Sequence, residues 1–275
     1  MFRKYGLLGI LLIAFAEFNF FLKIEPFASK YFIIVWAGYI LTLDALVYKL
    51  NKRSLIMGNK VTLTTLFVLS AIFWWIFELF NLRVGNWDYN GISGIAALGN
   101  AAWKTLYFST VLPAFFETYD LIRSVHLFDK RKLHKKHKIS RHLLNIMVSA
   151  GIIMFVLPLV YPAYFYPLIW MTFFFILDPI NYLHKQPSVI GHLNDRKLSI
   201  PLSLLLAGMV MGFFWEFWNY WAVTKWTYDI PFFGFFKIFE MPVLGYLGYL
   251  PFALSLYSMY WFARSLFVHK EHLLE

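Results

Sequence analysis

Long apolar segments recur along this chain, with short basic loops between them. A helix needs about 20 apolar residues to cross a bilayer. Eight segments approach that length: Tyr5–Leu22, Tyr31–Tyr48, Val61–Leu82, Ala97–Ile122, Leu143–Val160, Tyr164–Leu183, Leu198–Trp221 and Met241–Phe262. Only 15% of the residues are charged, against about 25% in soluble domains. The expected fold is therefore an all-α integral membrane protein of about eight transmembrane helices. The first apolar run resembles a signal peptide, but it has no small-residue cleavage site and continues through Glu17 and Phe21, so it reads as a span. There is no cysteine, which excludes disulfides and thiol chemistry.

The net charge of +10 invites a nucleic-acid reading, yet the basic residues follow the membrane pattern. Of 25 Lys and Arg, six fall on one set of loops and flanks: Lys23, Lys30, Arg83, Lys104, Lys225 and Lys237. The rest cluster at the two ends and in the loops Lys49–Lys60, Arg123–Arg141 and Lys185–Lys197. The positive-inside rule then puts both termini in the cytoplasm, with the cytoplasmic membrane as the expected location. Nucleic acid is not an expected partner.

One stretch is written twice. FWWIFELFNLRVGNWDY at Phe73–Tyr89 returns as MGFFWEFWNYWAVTKWTY at Met211–Tyr228. Glu78 and Asn81 match Glu216 and Asn219 at an offset of 138, and Trp87 and Tyr89 match Trp226 and Tyr228 at 139. Further matches are Pro113 and Tyr119 with Pro251 and Tyr257 at 138, and Trp36, Asp44 and Tyr48 with Trp170, Asp178 and Tyr182 at 134. The chain thus reads as two four-helix repeats, residues 1–125 and 142–275, joined by a basic cytoplasmic linker at 126–141. An even number of spans per repeat makes the copies parallel, related by a pseudo-two-fold axis along the membrane normal.

Acids inside apolar helices mark functional candidates, because a charge at mid-bilayer costs roughly 2.5–3.5 kcal/mol on insertion scales. Burial favours the neutral form, and a neutral acid is a proton donor. Glu78 and Glu216 rank first; the alternative is an interhelical hydrogen bond holding the halves together. Asn81 and Asn219 lie three residues on, on the same helix face, placed either to orient the acid or to pack the helix. Glu117 is the next candidate acid, with Ser255 at the equivalent position of the second half. Glu240 has no counterpart and belongs to an interfacial segment, Pro231–Glu240, or to a water-exposed loop. Asp44 and Asp178 are expected to bond the Tyr four residues on. Glu17 suits snorkelling or a local bond. His126, His134, His137 and His142 sit in the basic linker, which repels metal cations and suits lipid headgroups. No nucleotide-binding glycine motif, H-E-x-x-H or G-x-S-x-G occurs, so neither cofactor nor metal is expected.

The acid nine residues before Trp-x-Tyr, the Tyr89-Asn90 pair, a Gly-containing stretch and then a Pro followed by an acid resemble the membrane-type lycopene cyclases. Where that family carries Pro-x-Glu-Glu, this chain has PAFFE at Pro113–Glu117 and PFALS at Pro251–Ser255. The resemblance implies a fused pair of homologous halves and a cofactor-independent isomerisation. An acid protonates a terminal double bond, the carbocation closes a ring, and a proton is lost. Glu78, Glu216 and Glu117 would supply the acid and base, with Asn81 and Asn219 orienting them. Trp75, Trp87, Tyr89, Trp215, Trp226, Tyr228 and Glu240 would contact the substrate, an isoprenoid or carotenoid. The rival expectation is a proton- or cation-coupled carrier or lipid-binding protein with acids at the repeat interface. Membrane lipids are partners on either reading, and the oligomeric state stays open.

Overall fold

The structure, a computed structural model, describes residues 2–90, 97–135, 139–232 and 234–267. It is mostly helical: α1 (Lys4–Phe21), α2 (Tyr31–Asn51), α3 (Lys60–Val84), α4 (Ala97–Phe108), α5 (Val111–Ser124), α6 (Arg141–Val160), α7 (Pro162–Phe165), α8 (Ile169–Leu183), α9 (Val189–Asn194), α10 (Ser199–Trp221) and α11 (Tyr249–Phe267). Among the described residues six helical stretches are long and apolar enough to cross a membrane: α1, α2, α3, α6, the run Pro162–Leu183 and α10. This is a membrane protein. His137 and the Gly-containing stretch at 91–96 lie outside the described residues.

Of the eight expected spans, six meet that length and apolarity among the described residues, and both exceptions have a physical reason. The segment Ala97–Ile122 is broken into α4, of 12 residues, and α5, of 14. At about 1.5 Å per residue neither reaches the roughly 30 Å of a bilayer core. Pro113 sits in the first turn of α5, where its ring denies the carbonyl four residues back a helical bond. The α3 hydroxyl of Ser70 bridges the break, donating to Phe108 O (2.5 Å) and accepting from Leu112 N (2.9 Å). In Met241–Phe262 the helix begins only at Tyr249. Its serines, tyrosines and Arg264 make α11 more polar than the six.

The chain forms two compact units that are not consecutive halves: Met1–His126 with Leu206–Leu247, and Leu127–Leu205 with Gly248–Glu275. In the first, α1 and α2 approach through glycine. A Cβ added at Gly9 would lie 2.7 Å from Gly38 O, and one added at Gly38 would lie 2.7 Å from Gly9 O. Small residues give membrane helices this kind of close contact. Helix α2 packs on α5, where Tyr39 Oη and Thr118 Oγ1 share a hydrogen bond of 2.7 Å. Two short strands, β1 (Trp87–Asn90) and β2 (Lys225–Tyr228), pair antiparallel and tie the Leu206–Leu247 segment into this unit. A smaller pair, β3 (Lys237–Ile238) with β4 (Met241–Pro242), follows.

The second unit is built on α8, which packs on α6 and α11. Asp178 of α8 accepts from Val189 N (2.8 Å), Ile190 N (2.9 Å) and Ser258 Oγ (3.1 Å). It therefore caps the start of α9. In the first unit Asp44 accepts from Ile56 N (2.7 Å) and Tyr5 Oη (2.6 Å). Both acids are structural, but their bonds run to loop backbone and to Ser258 or Tyr5, not to the Tyr one turn on. A carboxylate meets several N–H groups at a loop, whereas the Tyr48 hydroxyl is taken by Arg3. Glu17 makes a local bond, accepting from Tyr31 Oη (2.8 Å).

Candidate functional site

Glu78 lies in the last turns of α3, and Gly85 ends that helix in the left-handed conformation (φ 65°) that glycine adopts without strain. The chain then reverses, and Asn81 holds the reversal. Its Oδ1 accepts from Asn86 N (2.9 Å) and Trp87 N (3.2 Å), while its Nδ2 donates to Trp87 O (2.7 Å). With its amide committed to the main chain, Asn81 positions β1, not the acid as expected. Strand β1 in turn sends two side chains back to Glu78. Oε1 of that half-buried acid accepts from Tyr89 Oη (2.6 Å), Trp87 Nε1 (3.0 Å) and Trp74 Nε1 (3.1 Å).

The second copy repeats the plan. Asn219, fully buried, accepts from Trp226 N (2.9 Å) and donates to Trp226 O (2.8 Å). Tyr228 Oη donates to Oε1 of the fully buried Glu216 (2.6 Å). Here the Trp226 indole donates to Tyr228 Oη (2.7 Å). The strands pair with Trp87 opposite Tyr228 and Tyr89 opposite Trp226.

Beside this ribbon lies a cavity with about 680 Å³ of empty space, its open mouth included. Its wall is aromatic: Phe32 and Trp36 from α2, Trp74 from α3, Tyr107 and Phe108 from α4, Trp215 from α10, and Tyr89 and Trp226 from the ribbon. Trp74 and Trp215 meet with ring centres 4.9 Å apart, and Trp226 stands edge-on to Trp215 at 5.8 Å. Two cations join the wall, Lys104 and Lys225. Lys104 Nζ lies 4.2 Å from the centre of the Tyr89 ring, and Lys225 Nζ is 2.6 Å from Glu240 Oε1. Neither Glu78 nor Glu216 lines the cavity; Trp74 and Tyr89, which bond Glu78, do. Burial, then the Glu78 charge, pushes the Tyr89 hydroxyl above its ordinary pKa, so it remains a donor.

Of the expected substrate contacts, Tyr89, Trp215 and Trp226 reach the cavity. Trp87 and Tyr228 instead brace the hydrogen-bond networks of the two acids. Trp75 bonds Thr105 Oγ1 (3.0 Å) and rests on Phe108, linking α3 to α4. Glu240 acts at one remove, through Lys225. Glu117 is fully buried in α5 and does not line the cavity; it lies next to Asp44 and Asp120. Among the described residues its carboxyl oxygens meet no N–H or hydroxyl donor and lie within hydrogen-bond reach of the Asp44 carboxyl. Trp74 and Lys104 were not expected at the site. Trp74 had a signal, standing one helical turn before Glu78, whereas Lys104 looked like an ordinary flanking charge. Among the described residues no three His, Asp or Glu side chains gather as a metal site would require. No known family model, curated protein or solved structure matches the chain.

Proposed function

We propose that the chain is a cofactor-independent isomerase of the membrane-type lycopene cyclase kind, acting on an isoprenoid or carotenoid by proton transfer. The observation that carries this reading is the Glu78–Tyr89 hydrogen bond, 2.6 Å long, whose tyrosine lines an aromatic cavity. Tyr89 hands a proton to a terminal double bond, and Glu78, once it has itself taken up a proton, resupplies the tyrosine. The carbocation attacks a second double bond of the same molecule, and a proton returns to the carboxylate, so no atom is gained or lost. The faces of Trp74, Trp215 and Trp226 stabilise the cation by about 0.5–2 kcal/mol each.

The repeat belongs to the same proposal. Both Asn side chains grip the main chain of the following Trp, and each Trp of the ribbon faces the Tyr of the other copy. That register supports two parallel repeats about a local two-fold, and the distribution of Lys and Arg supports both termini being cytoplasmic. The two segments that depart from simple spans come last in each repeat. The rival carrier reading draws on Glu117, whose buried carboxyl lies against that of Asp44; proton-coupled uptake into liposomes, lost in Glu117→Gln, would favour it.

Expression in a lycopene-accumulating bacterial host tests the reaction. The carotenoid profile is expected to change, and to stay unchanged with Glu78→Gln or Tyr89→Phe. An unaltered profile with folded wild-type protein removes the carotenoid from the proposal.

A further inference from the structure

The cavity carries a charge for which the isomerisation has no use. Lys104 stands half-buried in its wall, and among the described residues it has no carboxylate partner. Lysines at membrane interfaces commonly turn the ammonium out to water or headgroups along a flexible stem. Lys104 instead lays its Nζ over the Tyr89 ring, 4.2 Å from the centre, on the residue that bonds Glu78. The other lysine of the wall, Lys225, is already matched by Glu240. A ring face offsets only part of the hydration an ammonium gives up. The cavity therefore has one surplus positive charge, and beyond the two lysines its wall is aromatic or aliphatic apart from Thr110 and Thr224.

We infer that the cavity binds an amphiphile with a long apolar body and one anionic end, a phosphate or carboxylate, that pairs with Lys104. This rests on reading the cavity as an isoprenoid site and, within that reading, favours an acidic isoprenoid over a neutral carotenoid. The apolar body lies among Phe32, Trp36, Trp74, Trp215 and Trp226, and the anion ends beside Tyr89. That arrangement fixes which end of the molecule the proton reaches.

The test is competition binding on the full chain in neutral detergent, with tritiated farnesyl phosphate as probe. Unlabelled farnesyl phosphate is expected to displace it, neutral farnesol to compete at least about tenfold more weakly, and inorganic phosphate not to compete, since one charge-assisted bond is the difference. Dioleoylphosphatidylglycerol competing as well as farnesyl phosphate assigns the anion to a bilayer lipid; weak competition assigns it to a free isoprenoid. Either outcome keeps the Lys104 pairing. Lys104→Gln is expected to weaken farnesyl phosphate about tenfold or more and leave farnesol unchanged, and Lys104→Arg to restore the preference. The inference is overturned if no probe binds, if farnesol matches farnesyl phosphate, or if Lys104→Gln keeps the preference. The comparison of ligands on wild-type protein decides even where a variant does not fold. Carotenoid conversion without any anion preference removes this inference and leaves the isomerase; anion preference without conversion of any isoprenoid does the reverse.

Discussion

Around Glu78, three donors converge on one carboxylate oxygen, and two of them, Trp74 and Tyr89, also form the cavity wall. Around Glu216, Tyr228 donates to the acid, Trp226 donates to Tyr228, and the carboxyl is fully buried. The backbone plan is shared, since Asn81 and Asn219 hold their strands by the same amide bonds. The side-chain setting is not: Trp74, one turn before Glu78, has Gly212 at the matching place. The two segments thus share a backbone plan, while the surroundings of their acids differ. The first copy places its acid one hydroxyl from a cavity, and the second places its acid in the packing of α10.

The largest expected effect separates the copies by activity. Glu78→Gln should lower isomerisation by at least about 100-fold, the scale of a lost general acid, while folded Glu216→Gln should keep activity within about tenfold. Carotenoid or prenyl-phosphate turnover by purified variants measures both. Equal losses in two folded variants would break the comparison and make the pair a joint site. Tyr89→Phe and Tyr228→Phe sharpen it, the first costing activity and the second mainly thermal stability, by about 0.5–1.5 kcal/mol.

Tyr89 also predicts a pH dependence. Its folded pKa is raised, so the protonated tyrosine contributes stability that is fully present below the ordinary value of about 10 and lost as pH rises through the folded value. Detergent-solubilised wild type should lose melting temperature above about pH 10 more steeply than Tyr89→Phe. Parallel curves would mean that the hydroxyl is not held as its bond to Glu78 implies.

The membrane class was legible because apolar length is a local property, and the Glu–Asn spacing because helical period puts i and i+3 on one face. The break between α4 and α5 depends on Ser70, a hydroxyl some 40 residues upstream that serves both ends of the gap. Nothing local reports it, so Ala97–Ile122 read as one span. The Trp-x-Tyr loops are strands only because they find each other across the chain. Asn81 read as a partner of Glu78 because they share a face, yet the turn after Gly85 brings main-chain groups closer to its amide than the acid is. Lys104 read as topology because a single lysine in an apolar run looks the same whether its tip meets water or a tyrosine ring.

Smaller effects test the shared scaffold. Asn81→Ala and Asn219→Ala each strand main-chain groups of the following Trp, costing about 1–3 kcal/mol. The loss should be greater at Asn219, which is fully buried, than at half-buried Asn81. Thermal melts of the two variants measure it, and the reverse order would show that the first ribbon strand is the more tightly held.

The smallest effect concerns Trp75, which neighbours Trp74 in sequence but belongs to a different surface. Its indole bonds Thr105 Oγ1 at 3.0 Å, and its ring rests on Phe108 at 5.3 Å, so it joins α3 to α4 behind the cavity wall. Trp75→Phe keeps a ring against Phe108 and removes one hydrogen bond, a loss of about 0.5–1.5 kcal/mol. Turnover and prenyl-phosphate affinity should stay within about twofold of wild type, whereas Trp74→Phe, which removes a donor to Glu78 and alters the wall, should lower activity by about tenfold. Adjacent tryptophans on one helix point about 100° apart, and the two variants read that angle as function against support. A Trp75→Phe variant as impaired as Trp74→Phe would move the working surface to the other face of α3.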